Sequence, residues 1–174
     1  LVTSIAYLLV QYSRTDVPAV VVAAVSGAVG VAALVVGAGL LRGWSVLLGA
    51  LHLVGGMVLL GAVMNGMMLG HWYLNQPGLK PEALARLTKV ALGAAAYSLA
   101  IGALTAAKLA GAPTEGSLLG LPGFGQSFGL VFFVSWVVLI GFTGAVLWAA
   151  WRCVKIRSIQ SATGLFYVAV LSAG

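Results

Sequence analysis

The sequence predicts an all-α fold, a polytopic transmembrane helical bundle with four full spans and a partial span at each end, five to six in total. Three observations predict it. Charged residues occupy 7% of the 174 positions while the hydrophobic set reaches 61%, whereas a soluble domain carries about 25% charged residues to solvate its surface. The mean hydropathy is +1.11. The apolar runs are long, near the roughly 20 residues that cross a hydrocarbon core as a helix, and they lack the alternating ten-residue pattern of a barrel strand.

Residues 1–174 read as a single integral membrane domain. The opening run, about 1–12, is too short to cross and is expected to be part of a span. The next span, 17–41, is built from Val, Ala and Gly, with Pro18 at its start, where a missing N–H costs little. Span 44–74 carries both histidines and ends in the turn Asn75-Gln76-Pro77-Gly78. Pro81 opens span 82–108, and Glu82 falls in its first turn, where the helix dipole favours an acid. A Gly/Pro-rich loop, 110–125, leads to span 126–151, and 158–174 begins a last partial span. Both ends read as interrupted spans, so the natural protein is expected to be longer.

Orientation follows from basic residues in alternating connections. Arg14, Lys80, Arg86, Lys89, Arg152, Lys155 and Arg157 lie on one side, against Arg42 and Lys108 on the other. The loops beside His71 and Arg152 are therefore expected to face the cytoplasm, in a bacterial inner membrane.

Several function classes lose ground on the same residues. The three acids, Asp16, Glu82 and Glu115, all fall between apolar runs. A carboxylate within a span usually marks a proton or ion path, so an ion-coupled pump is disfavoured. The net charge of +6 is scattered over segment ends and makes no basic stripe for nucleic acid. Cys153 has no companion for a disulfide or for C-x-x-C metal ligation. Arg152 and Lys155 flank it, as cations do at activated thiols, yet a plain membrane-edge cysteine is the simpler reading. There is no H-E-x-x-H, no P-loop and no dinucleotide fingerprint, so the chain is not expected to be catalytic alone.

Small residues offer packing faces. Gly66 and Gly70, and Gly125 and Gly129, stand in G-x-x-x-G, and Ser26 with Gly30 forms its small-xxx-small relative. Such spacing lets helix backbones approach where lipid supplies no hydrophobic force. With 24 glycines chance matches are expected, but the composition suits tight packing, including against other membrane subunits.

The histidines, 19 residues apart on one expected helix, lie about 28 Å apart along its axis and cannot grip one heme together. A heme b shared with another subunit remains open to His52, with Met57, Met64, Met67 and Met68 in the same span as further ligands. Packing methionines and a backbone-bonded histidine are the plainer account.

His71, Trp72, Tyr73 and Asn75 gather at a span end. A quinone needs an apolar slot, an aromatic wall and donors for its carbonyl oxygens, and His71 adds a group that moves protons near neutral pH. The plainer account is an aromatic anchor at the headgroups. Arg152, Lys155 and Arg157 are expected to bind lipid headgroups, at about 1 kcal/mol for each basic residue near an anionic surface. Ser158 or Ser161 can cap the following helix.

These residues together favour an integral membrane subunit of a larger electron-transfer complex, respiratory or photosynthetic, with a structural role and a quinone or lipid contact at the cytoplasmic interface. The alternative is a small transporter or channel subunit. Its polar lining would have to come from Asn65, Ser98, Thr105, Ser135 and Thr143.

Overall fold

The computed structural model describes residues 16–40, 45–76, 80–110 and 127–173. They form five helices and, among the described residues, no strand. The helices are α1 (Asp16–Ala38), α2 (Val46–Asn75), α3 (Glu82–Ala110), α4 (Ser127–Lys155) and α5 (Ile159–Ala173). Four are long and apolar enough to cross a membrane, through Val20–Ala38, Val46–Asn75, Glu82–Ala107 and Gly129–Lys155; α5 is a shorter apolar helix. The fold is therefore all-α, with the features of an integral membrane protein. A helix suits such segments because it pairs their backbone N–H and C=O groups internally, where lipid offers no partner. The expected partial span 1–12 and loop residues 111–125 lie outside the described residues.

The chain divides into two compact units, Leu1–Leu53 and Val54–Gly174, with the division inside α2. In the first unit, residues 20–37 of α1 are all exposed or half-buried. The helix ends in a tight turn in which the Gly39 N–H donates to the Val36 carbonyl and the Leu40 N–H to the Gly37 carbonyl, both at 3.0 Å. Ser45 caps α2: its Oγ accepts the Leu48 N–H at 3.2 Å, satisfying one of the donors that a helix start leaves open.

In the second unit the rest of α2 shares one core with α3, α4 and α5. Each helix buries a stripe at three- and four-residue spacing, as 3.6 residues per turn requires. On α2 the stripe is Gly55, Leu59, Ala62, Gly66 and Gly70; on α3 it is Leu84, Thr88, Ala91 and Ala95. Side-chain size rather than polarity separates the two faces. Ala, Gly and Thr dominate inside, while Met68, Val138 and Leu171 are 66%, 62% and 85% exposed.

Glycines on the inner face meet large side chains of the neighbouring helix. A Cβ added to Gly55 would stand 2.5 Å from Cε1 of Tyr97, and one on Gly70 would stand 2.5 Å from Oγ1 of Thr163. On Gly66 and Gly102 it would overlap the rings of Phe166 and Trp136. The expected G-x-x-x-G pair, Gly66 and Gly70, is thus filled by this chain's own α5. Gly30 of the Ser26/Gly30 pair has open space around it.

Buried hydroxyls are satisfied locally. Thr88, Thr105, Thr143 and Thr163 each donate to the carbonyl four residues back, at 2.6, 3.0, 2.9 and 2.8 Å. Thr143 Oγ1 also lies 2.8 Å from Ser172 Oγ, a hydroxyl pair that ties α4 to α5.

The helix α4 continues past the expected end at Trp151 to Lys155. It stops where the chain turns into the left-handed region at Arg157, φ 57°. There the Ser158 N–H donates to the Cys153 carbonyl at 2.8 Å and the Arg157 N–H to the Val154 carbonyl at 3.1 Å, the two bonds of a Schellman motif. Ser158 then starts α5, its carbonyl accepting the Ala162 N–H at 3.0 Å.

Two stability predictions follow from this packing. Gly66→Ala costs about 1–3 kcal/mol by overpacking. In a Phe166→Ala background, the same change becomes neutral or stabilising, since alanine is the better helix former by about 1 kcal/mol. Unfolding in detergent of the four variants in that cycle measures the reversal; equal costs in both backgrounds would refute the contact. Arg157→Gly removes the left-handed strain of a β-carbon-bearing residue, worth about 1 kcal/mol, and raises the unfolding midpoint. A lowered midpoint would contradict the C-cap.

Candidate functional site

The inner stripe of α2 continues from Gly70 to Tyr73, three residues on and the same side of the helix. Tyr73 is accordingly half-buried and packs against the core. Its hydroxyl donates to the Lys80 carbonyl at 3.0 Å. This bond ties the end of α2 to the main chain one residue before Pro81. From Pro81 the helix takes over, its carbonyl accepting the Ala85 N–H at 2.9 Å.

An open groove of about 600 Å³ lies at this junction. Leu69 of α2 and Ala83, Leu87 and Val90 of α3 supply its apolar wall; Tyr73, Lys80, Glu82 and Arg86 supply its polar rim. The i, i+4 spacing of Leu69 with Tyr73, and of Glu82 with Arg86, explains why these pairs project together.

Of the four residues expected to form a quinone site, the structure brings only Tyr73 to the groove. Successive helical residues turn by about 100°, so His71 and Asn75 share the side of α2 away from Tyr73. His71, Trp72 and Asn75 are exposed and do not line the groove. The aromatic cluster is therefore split: Tyr73 packs against the core and bonds the Lys80 carbonyl, and Trp72, 57% exposed, faces outward.

His52 also belongs to α2 and is half-buried. Among the methionines proposed with it as heme ligands, Met67 packs on the core, while Met57, Met64 and Met68 are exposed. Among the described residues, no group of three or more His, Cys, Asp or Glu is placed to hold a metal ion.

The second polar cluster lies at the end of α4 and the start of α5. The Arg152 guanidinium carbon sits 5.5 Å from the Trp148 ring centroid, and Lys155 Nζ sits 4.1 Å from that of Trp151. Both are i, i+4 cation–π pairs, in which a ring quadrupole holds the charge along its own helix. Arg157 is exposed. Ser158 and Ser161 bond each other through their hydroxyls at 2.9 Å. Cys153 packs against the core, as a plain membrane-edge cysteine does.

The antiparallel contacts of Gly66 with Phe166 and Gly70 with Thr163 put the end of α2 beside the start of α5. The groove and the Arg152 cluster are thus at one end of the second unit. Sequence reasoning placed Lys80 and Arg86 only in the charge balance. Their membership of a groove with Leu69, Leu87 and Val90 depends on how two helices meet across a turn, which periodicity along one helix does not reveal.

No family model, curated protein or solved structure matches the chain.

If the Tyr73–Lys80 bond holds the turn, Tyr73→Phe lowers stability by about 1 kcal/mol and speeds proteolysis between α2 and α3. Unchanged unfolding and cleavage would show the bond to be dispensable.

Proposed function

We propose that this chain is an integral membrane subunit of a larger membrane complex, working through assembly, with electron transfer as the class of complex. One observation carries the reading: the interior of the second unit is devoted to holding helices together. Gly55, Gly66, Gly70 and Gly102 meet side chains of neighbouring helices, and the buried threonines donate to their own helices. Among the described residues, a solute crossing this interior would meet no row of open polar groups to replace its water, which weighs against the transporter or channel alternative. Asn65 and Ser135, two of the residues a path would need, are exposed. The bulky outer face suits lipid and partner helices.

The proposed membrane is the bacterial inner membrane, with the Tyr73 and Arg152 end on the cytoplasmic side. The imbalance of basic residues supports this orientation. Support for a quinone is confined to Tyr73 and its groove, since His71, Trp72 and Asn75 do not line it. A heme shared through His52 rests on the sequence argument alone.

The test is purification from native membranes in mild detergent, with subunit stoichiometry, quinone content and an absorption spectrum measured on the same sample. A stoichiometric membrane complex containing a redox centre is expected. A solitary, colourless, monodisperse chain would contradict the proposal. Orientation is read by impermeant-thiol labelling of Gln76→Cys in a Cys153→Ser background, expected only in inside-out vesicles; labelling in right-side-out vesicles would reverse it.

A further inference from the structure

We propose that the groove between the end of α2 and the start of α3 binds one anionic phospholipid of the phosphatidylglycerol type. The proposal rests on the membrane placement argued above and is independent of which complex the chain joins.

The chemistry of the two walls differs in the way a phospholipid requires. Leu69, Leu87 and Val90 give an apolar wall along the spanning helices, where an acyl chain loses contact with water. Lys80 and Arg86 lie on the rim of the same groove. Both side chains are exposed, and among the described residues neither is held in an ion pair. A phosphodiester between them would accept from an ammonium and from the planar guanidinium, which matches phosphate oxygens in a bidentate manner.

Glu82 is the third charge on the rim. Its carboxylate only accepts hydrogen bonds when ionised, so a headgroup that reaches it has to bring a donor. The glycerol hydroxyls of phosphatidylglycerol provide one without adding positive charge. Two cations and one anion leave the rim with a net charge of +1, which complements a headgroup of net charge −1. A neutral quinone ring would leave this net positive charge unanswered.

Tyr73 is a positioning residue here. Its hydroxyl is committed to the Lys80 carbonyl at 3.0 Å, which fixes the backbone that carries Lys80, while its ring extends the apolar wall. The volume, about 600 Å³, is that of a headgroup with the first part of its chains, within the range of about 300–1,000 Å³ common for small-molecule sites.

The test is native mass spectrometry of the full chain in detergent, titrated with phosphatidylglycerol, phosphatidylethanolamine, phosphatidylcholine or a ubiquinone. The expected result is one phosphatidylglycerol retained per chain, about tenfold more tightly than phosphatidylcholine. Lys80→Gln with Arg86→Gln is expected to abolish that preference. Both residues are exposed, and helical content by circular dichroism confirms that the double variant is folded. Equal retention of phosphatidylglycerol and phosphatidylcholine would overturn the proposal. So would an unchanged preference in the double variant. Preferential phosphatidylethanolamine binding that is lost in Glu82→Gln would reassign the groove to a zwitterionic headgroup. Displacement of phosphatidylglycerol by equimolar ubiquinone would return it to the quinone reading. None of these outcomes depends on whether a partner subunit is found.

Discussion

The close approach of helices at glycine governs the second unit. In water a bundle is held by withdrawing apolar surface from solvent, but between helices in lipid that force is absent and contact area takes its place. Contact area grows when one helix presents no side chain and its neighbour fills the space. Gly66 receives Phe166 and Gly102 receives Trp136 in this way, and Gly55 faces Tyr97. Each pair joins a different two of the four helices, α2 with α5, α3 with α4 and α2 with α3. Together they set which face of each helix points inward, and therefore which residues reach the ends.

The position of the groove follows from that rotation. With Gly66 and Gly70 turned toward α5, Tyr73 is the next residue of the inward stripe, and its hydroxyl reaches the Lys80 carbonyl. The same rotation directs His71 outward. Polar interactions then refine the arrangement without driving it. The buried threonines donate to carbonyls of their own helices, and the Thr143–Ser172 pair crosses from α4 to α5. At the α4 end, Trp148 and Trp151 carry Arg152 and Lys155 on their faces, a combination that suits the headgroup depth, where amphipathic rings and cations gather.

The fold class was legible because it rests on composition and run length, which do not depend on partners. Helix ends were legible to within a few residues where a cap or breaker stands, as with Pro81 and Glu82 at the start of α3. The end of α4 was not, because Arg152 and Lys155 resemble a loop in composition while the stop is a left-handed residue, Arg157, that is not a glycine. The sequence also marked Gly66 and Gly70, but not that their partner is this chain's α5. It grouped His71, Trp72, Tyr73 and Asn75 by adjacency, whereas a helix separates neighbours by about 100°. The groove instead joins residues from Leu69 to Val90 across a turn.

The most direct test of the glycine-led packing is disulfide cross-linking in native membranes, in a Cys153→Ser background. Gly70 and Thr163 face each other closely enough for a bridge whose Cβ atoms stand about 3.8 Å apart. Gly70→Cys with Thr163→Cys should therefore form an intramolecular disulfide rapidly under mild oxidant, while the exposed pair Met68→Cys with Tyr167→Cys should not. Equal cross-linking of both pairs, or cross-linking of the exposed pair alone, would contradict the packing on which the groove depends.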